Sequence, residues 1–157
     1  MNLIGANVVL DPVSFRDEME SVIKFSAGAK KRLVIAKEAN LVLPTHKLLD
    51  KAAEESKGLG KIGTTLRGIG PTYMDKIGRM GIRSGYIFET DFKTRYDALT
   101  EHHRRLLKAF DFVVDEDLFA KNERDFFDFL PQTFGGEGGL AVSECRERSL
   151  VFVFAGH

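Results

Sequence analysis

Residues 7–12 read Asn7-Val8-Val9-Leu10-Asp11-Pro12, an apolar run that stops at two helix-start residues. The run predicts a short buried strand over residues 7–10. Because Asp11 can accept hydrogen bonds from free backbone N–H groups and Pro12 suits the first helical position, a helix is predicted to begin here. The apolar face of this helix is formed by Phe15, Met19, Val22 and Ile23. Gly28 is predicted to end it.

A second apolar run follows at residues 32–36, which read Arg32-Leu33-Val34-Ile35-Ala36. It predicts the next strand. Strand, helix and strand in this order are the βαβ pattern, in which two parallel strands are joined by a crossover. The sequence therefore predicts an α/β fold, with a mostly parallel sheet and flanking helices.

Two amphipathic helices are predicted in the middle of the chain. The first starts near Thr45, directly after Pro44, and ends at Gly58. Its inner face is formed by Leu48, Leu49, Ala52 and Ala53. The second covers residues 91–110. Its inner face is formed by Tyr96, Leu99, Leu106, Leu107 and Phe110.

The C-terminal part predicts a shorter helix over residues 116–130, which Pro131 ends. The glycines of residues 135–139 predict a flexible break, and residues 149–154 predict a final strand. A strand so near the last residue favours a domain that continues beyond it. Residues 1–157 are therefore predicted to form a single partial domain.

Composition limits the partners of the chain. Lys plus Arg and Asp plus Glu both number 23, so the net charge is zero and predicts neither nucleic acid nor a membrane as partner. No apolar run approaches the roughly 20 residues that span a bilayer, and residues 1–5 lack a signal-peptide pattern. The single cysteine, Cys145, fits a reducing compartment. The predicted location is cytoplasmic.

Residues 58–85 differ from the rest of the chain because they combine glycines with cations. They hold eight of the fifteen glycines and one acid, Asp75. The cations are Lys61, Arg67, Lys76, Arg79 and Arg83. Glycine lets the backbone approach a ligand, exposed N–H groups bind anions, and guanidinium groups match phosphate oxygens. The segment favours an anionic ligand such as a nucleotide monophosphate; a glycine-rich connector with solvated cations is the alternative.

Familiar catalytic and phosphate motifs are absent from the sequence. Residues 58–63 spell G-x-G-x-x-G, but that fingerprint follows a strand and opens a helix, whereas here a helix precedes it. There is no Gly-Lys-Ser/Thr run, and so no Walker A loop. His46 fits a helix cap or a surface position, and His102 and His103 diverge on a helix. The sequence therefore predicts no metal-ligand cluster and no catalytic residue.

A longer signature is visible in residues 61–85. Residues 61–76 read K-I-G-T-T-L-R-G-I-G-P-T-Y-M-D-K, and R-x-G-I-R-x-G follows at residues 79–85. This run resembles the signature of the adenylosuccinate synthetases, I-G-T-T-x-R-G-I-G-P-x-Y-x-D-K and then R-x-G-x-R. Residues 4–12 and 41–50 are similar to two further segments of that family. The resemblance covers roughly residues 4–110.

The resemblance implies an internal fragment of a P-loop-NTPase-like α/β enzyme. The family ligates aspartate to IMP at the expense of GTP, with Mg²⁺, in AMP biosynthesis. By this resemblance Thr65 binds the IMP phosphate, and Arg79 reaches across a homodimer interface to the IMP of the partner. Arg67 belongs to the substrate pocket, near the aspartate, and Lys76 and Arg83 lie near the same interface.

The resemblance also implies parts that the chain lacks. The family's G-D-E-G-K-G-K loop, which holds GTP and Mg²⁺, precedes the segment that matches Ile4, and the guanine- and aspartate-binding segments lie beyond residue 157. The chain is therefore expected to have no GTP or metal site and to be inactive alone. Leu66 stands where the signature has glycine. Two alternatives are a non-catalytic anion- or nucleotide-binding module and a truncated, non-functional product.

Overall fold

The computed structural model describes residues 2–26, 28–29, 32–60 and 63–134. In this part of the chain, strands and one helix come first: β1 (Asn2–Ile4), β2 (Val9–Leu10), α1 (Pro12–Phe25), β3 (Leu33–Ile35) and β4 (Asn40–Leu41). Helices follow: α2 (Pro44–Ser56), α3 (Ile69–Ile77), α4 (Phe92–Ala109) and α5 (Glu116–Phe134). Short 3₁₀ turns at Gly58–Gly60 and Ser84–Phe88 flank α3. This order confirms the predicted α/β class.

The strands pair in parallel, as predicted, in two short ladders. β1 pairs with β3, with Leu3 opposite Val34. β2 pairs with β4, with Leu10 opposite Leu41. The chain thus runs from each strand of a pair to its partner through a crossover that contains α1, which is the connection that parallel pairing requires.

The two strands on either side of α1 do not pair with each other in the described part of the chain. β3 pairs with β1, and β2 pairs with β4. A turn separates β1 from β2, in which the Val8 N–H donates to the Gly5 carbonyl oxygen at 3.2 Å. The strand predicted over residues 7–10 is therefore shortened to Val9–Leu10.

The main core lies between the strands and helices α1, α4 and α5. It contains Leu10, Phe15, Val34, Ile35, Leu41, Leu43, Ile82, Tyr96, Leu99, Phe126, Leu130 and Phe134. Tyr96 stacks on Phe126 with ring centroids 5.5 Å apart. A second cluster of Leu49, Ala52 and Leu107 joins α2 to α4. Since a fully buried large apolar side chain contributes about 1.5–3 kcal/mol, these clusters fix α2 and α4 as a rigid support for α3.

Helix α1 begins where the sequence predicts and ends early. Asp11 is its N-cap and Pro12 its first residue, but its last residue is Phe25 rather than one adjoining Gly28. The predicted inner face is buried or half-buried at Phe15, Met19 and Ile23. Val22 is 46% exposed, so the end of that face is not covered by the described residues.

Helix α2 agrees with its prediction at both ends. It starts at Pro44, and Gly58 follows its C-cap with a φ of +55°, the conformation that glycine supplies after a helix. Leu49 and Ala52 are buried on its inner face. The helix therefore offers a well-defined surface to the glycine-rich segment that comes next.

Helix α4 also forms as predicted, with a narrower inner face. Tyr96, Leu99 and Leu107 are buried, whereas Leu106 and Phe110 are 38% and 44% exposed. Successive residues on a helix lie about 100° apart, so burying Leu107 turns Leu106 outward. The prediction that Leu106 and Phe110 face inward is wrong.

Pro131 lies inside α5 and does not end it. The helix continues to Phe134, which packs in the main core with Leu130. Burial of these side chains offsets the hydrogen bond that proline removes. The predicted break at residues 135–139, the predicted strand at 149–154 and Cys145 lie outside the described residues. No helix in the described part has the length and apolar character needed to cross a membrane.

Candidate anion-binding site

The glycine-rich segment contains a helix, α3, that the sequence pattern does not predict. It begins after Gly68, whose φ is +75°. A Cβ at Gly68 would lie 2.8 Å from the carbonyl carbon of His46, so glycine is what lets α3 start against α2. The Gly68 N–H donates to Asp50 Oδ2 at 2.9 Å. Pro71 falls in the first turn, where a missing N–H costs no helical hydrogen bond.

Helix α3 ends in a tight turn closed by the carbonyl oxygen of Asp75. That oxygen accepts from the Met80 N–H at 2.9 Å and from the Gly81 N–H at 3.1 Å. Arg79 lies within the turn at a φ of +60°, a left-handed conformation that usually falls to glycine at the end of a helix. A Cβ at Gly81 would lie 2.3 Å from Asn40 Oδ1. The turn is thus tightly packed against β4.

Lys76, Arg79 and Arg83, which we call the cation cradle, line one cavity of about 210 Å³. The other lining residues are Ala6, Asn7, Glu38, Asn40, Gly81 and Tyr86. The Lys76 ammonium donates to the Ala6 carbonyl oxygen at 2.7 Å and to Asn7 Oδ1 at 3.3 Å. These bonds fix Lys76 at the wall of the cavity, while Arg79 and Arg83 are exposed and open to a ligand.

The charges around the cavity favour an anion. Partial burial, and next the positive charge of Arg83, lower the pKa of Lys76. A bound anion would relieve the repulsion between these cations. The described lining contains one carboxylate, Glu38, against the three cations. Its Oε2 is buried without a hydrogen-bond partner among the described residues.

Thr65 and Arg67 lie outside this cavity. Both belong to the exposed residues 63–67 that lead into α3, and neither lines the cation cradle. Leu66, between them, has a φ of +53° and is 45% exposed. This conformation explains why glycine suits the position in the signature, since a leucine there is strained. The fifth cation of the segment, Lys61, lies outside the described residues.

Behind the cation cradle lies a buried network that the sequence did not predict. Asp75 Oδ2 accepts from His46 Nε2 at 2.9 Å and from His103 Nε2 at 2.8 Å. His103 Nδ1 in turn lies 2.7 Å from Thr45 Oγ1. His46 and His103 are completely buried. The network joins residues of α2, α3 and α4, which are far apart in the sequence, and no local spacing could have shown it.

The backbone fixes the protonation of His46. The Leu43 N–H donates to His46 Nδ1 at 2.8 Å, so Nδ1 carries no proton and Nε2 holds the hydrogen that Asp75 accepts. Burial lowers the pKa of His46 below its ordinary value, against the hydrogen bond to Asp75. Burial alone would raise the pKa of Asp75, but the hydrogen bonds from His103 and His46 hold it well below its ordinary range.

His46 is therefore a helix cap, as the sequence allowed, but it is not a surface residue. The sequence did not show that the ligand atoms of His46, Asp75 and His103 lie within 4.8 Å of one another. Their chemistry nevertheless does not fit Mg²⁺, which takes oxygen ligands. His46 Nε2 carries a proton and points at Asp75, so it cannot donate a lone pair to a metal.

The overall match to known proteins is specific. The sequence profile of the adenylosuccinate synthetases matches residues 1–137. The chain belongs to this family. The match extends past residue 110, where the visible resemblance fades, and it includes the cation cradle and the whole of α5.

Individual adenylosuccinate synthetases support this assignment. The chain is 50% identical over 130 residues to the enzyme of Flavobacterium psychrophilum and 42% identical over 132 residues to that of Bacteroides thetaiotaomicron. A fully ligated adenylosuccinate synthetase structure from Plasmodium falciparum superposes with a TM-score of 0.61 at 29% identity. The three matches cover 83%, 84% and 80% of this chain. The chain spans about 30% of the length of these relatives.

Proposed function

We propose that this chain provides part of the IMP-binding surface of an adenylosuccinate synthetase, the GTP-dependent ligase that joins aspartate to IMP. The observation that carries this proposal is the cation cradle, in which Lys76, Arg79 and Arg83 face one cavity. Charge-assisted hydrogen bonds from such cations to phosphate are among the stronger polar contacts in proteins. The cavity therefore suits the phosphate of a nucleotide monophosphate.

The conformation of Arg79 supports a role in binding. An L-residue in the left-handed region costs about 1–2 kcal/mol, and glycine would avoid that cost. The Arg79 N–H donates to the Lys76 carbonyl oxygen at 3.3 Å, but its guanidinium makes no hydrogen bond or ion pair with the described residues that would offset the cost. Strained residues cluster at ligand sites, so the strain at Arg79, together with its free guanidinium, supports a ligand contact.

The surface of α3 favours a second copy of the chain as partner. Met74 is 72% exposed, Ile77 is 81% exposed and Met80 is 46% exposed. We call these three exposed side chains, which come from α3 and from the turn that holds Arg79, the apolar patch; exposed apolar surface of this kind marks interaction sites. We propose that the patch belongs to a homodimer interface, across which Arg79 contacts the IMP of the partner. Thr65 and Arg67, outside the cation cradle, would then contact IMP and the aspartate region in their own subunit.

GTP and Mg²⁺ are proposed to bind elsewhere in the complete enzyme. In the described part, the one cluster of possible metal ligands does not fit Mg²⁺, as shown above. The isolated chain is therefore expected to form no adenylosuccinate from IMP, aspartate and GTP, as followed by the absorbance of the product. Adenylosuccinate formation by the chain, purified from a host that lacks its own adenylosuccinate synthetase, would contradict the proposal that GTP and Mg²⁺ bind elsewhere. The proposed location is the cytoplasm.

A calorimetric titration with IMP tests the binding role. The wild-type chain should bind IMP and should bind inosine, which lacks the phosphate, far more weakly. Arg79→Ala should raise the Kd for IMP by roughly 10-fold to 100-fold, because a hydrogen bond to a charged group contributes about 1.5–3 kcal/mol. The matched control is Arg105→Ala, which removes an exposed arginine of α4 outside the cradle.

The outcomes separate the alternatives. Equal affinity for inorganic phosphate and IMP would favour a simple anion-binding module over a substrate site. No saturable binding of either ligand, by monomer or dimer, would favour the non-functional product. Sedimentation with and without IMP reports the dimer, which Ile77→Lys should disrupt while the fold remains intact.

A further inference from the structure

We infer that Asp75, held between His46 and His103, is a positioning residue that sets the geometry of the cation cradle. The inference rests on the proposed anion-binding role of the cradle and adds to it the support behind Lys76 and Arg79. None of the three network residues lines the cradle cavity. Their effect on a ligand must therefore act through the residues that they hold in place.

Asp75 is held by its side chain and by its main chain at once. Its Oδ2 accepts from the Nε2 atoms of His46 on α2 and His103 on α4, at 2.9 and 2.8 Å. Its carbonyl oxygen accepts from the backbone N–H groups of Met80 and Gly81. One residue thus ties the last turn of α3 to two neighbouring helices and closes the turn that follows.

This arrangement determines where the cations lie. Lys76 is the residue after Asp75, and Arg79 lies within the turn that the Asp75 carbonyl closes. If α3 rotated or slid along α2, both hydrogen bonds to Oδ2 would break and the two cations would move with the helix. A shift of one ångström is enough to spoil a guanidinium–phosphate hydrogen bond, since these bonds span about 2.7–2.9 Å.

Stability alone is a weak explanation of the network. Burying a charged carboxylate requires full compensation by hydrogen bonds, and apolar side chains of the same volume often give an equally stable or more stable core. What hydrogen bonds add is direction. Leu43 orients His46 and Thr45 contacts His103, so each imidazole is held on its far side and aims its Nε2 at Asp75.

Two variants of the complete chain test this role. Asp75→Asn keeps the size of the side chain and removes its charge. Thr45→Val removes only the hydroxyl group beside His103, which is a milder change if Asp75→Asn folds poorly. The control is Ile35→Val, a core substitution in β3 that is expected to cost about 0.5–1.5 kcal/mol. It lowers stability without contacting the network.

Two measurements are made on each variant under conditions where circular dichroism shows it to be folded. Nuclear magnetic resonance follows the amide signals and hydrogen exchange of Met80 and Gly81, and calorimetry gives the Kd for IMP. Asp75→Asn should shift both amides, speed their exchange and raise the Kd roughly tenfold, which corresponds to about 1.4 kcal/mol. Thr45→Val should act in the same direction to a smaller extent. Ile35→Val should leave the amides and the Kd unchanged.

The measurements distinguish a failure of this inference from a failure of the proposed function. If the wild-type chain binds IMP and Asp75→Asn binds it equally well with unchanged amides, Asp75 has no positioning role. If Ile35→Val weakens binding as much as Asp75→Asn does, general stability explains the effect and the inference is wrong. If the wild type binds neither IMP nor phosphate, the proposed function fails, and the amide signals alone decide whether Asp75 positions the turn.

Discussion

Replacing Arg79 by glycine should stabilise the fold and weaken the cation cradle in the same molecule. Arg79 has a φ of +60°, and the left-handed conformation costs an L-residue about 1–2 kcal/mol. Glycine avoids this cost but loses roughly 0.5–1 kcal/mol more conformational entropy on folding. The net gain in the free energy of unfolding is therefore about 0–1.5 kcal/mol, with a central value of ~0.8 kcal/mol, or about 2–3 °C in Tm for a chain of this size.

Binding should change in the opposite direction. The loss of one guanidinium–phosphate contact should raise the Kd for IMP by roughly 10-fold to 100-fold. Urea denaturation followed by circular dichroism gives the stability, and calorimetry gives the Kd. The control is Arg79→Ala, which also removes the guanidinium but keeps the Cβ that causes the strain. Its affinity should match that of Arg79→Gly, and its stability should lie below it.

The difference in stability between the two variants is the decisive quantity. If Arg79→Gly is no more stable than Arg79→Ala, the backbone at this position is not strained. If both variants bind IMP as the wild type does, the strain has no connection with a ligand. Either result would refute the argument that Arg79 is kept in its turn for binding.

Two further results are expected. Burial lowers the pKa of His46 below 6.5 in the folded chain, so neutral His46 contributes its full stability above pH 6.5. Below that pH the unfolded chain takes up a proton that the folded chain does not. The free energy of unfolding should therefore fall as the pH is lowered. Protonation of Asp75 in the unfolded chain should lower the free energy of unfolding further below pH 3.8, because the pKa of Asp75 in the folded chain is lowered from that value. A urea midpoint that stays constant from pH 7 to pH 5 would contradict the buried, neutral state of His46. Gly81→Ala should cost about 1–3 kcal/mol and weaken IMP binding, because its Cβ would lie 2.3 Å from a neighbouring side chain. Gly70→Ala, with no atom within 4 Å of the new Cβ, should leave both unchanged or improve stability, and equal urea midpoints for the two variants would contradict the packing described here.

The fold class could be predicted because it depends on local patterns. The start of α1 is marked by Asp11 and Pro12, and the two ends of α2 are marked by Pro44 and Gly58. The two apolar runs mark strands. The pairing of strands could not be predicted in the same way. β1 is three residues long and makes its contacts with a strand far along the chain, so nothing in its own sequence separates it from a loop.

The candidate site was predictable in part for the same reason. The cations of the cradle are visible as an excess of charge in one segment, and Lys76, Arg79 and Arg83 do meet at one cavity. The network behind them is not visible, because His46, Asp75 and His103 come from three different helices. His102 and His103 are adjacent and diverge on a helix, so the sequence suggests no shared role for them. Only His103 faces inward, and its hydrogen-bond partners come from α2 and α3.

Two glycines of residues 58–85 serve close packing rather than flexibility. A glycine-rich stretch predicts flexibility, but a Cβ at Gly68 would clash with the backbone of α2, and a Cβ at Gly81 would require Asn40 to move. There glycine permits close packing on neighbouring elements, and close packing holds the start of α3 and the turn after it in place. Cations presented from a rigid turn lose little entropy when they meet a phosphate, and preorganisation of this kind raises affinity without any additional contact. The affinity of the cation cradle for a phosphate should therefore depend as much on Gly68, Gly81 and Asp75 as on the arginines themselves.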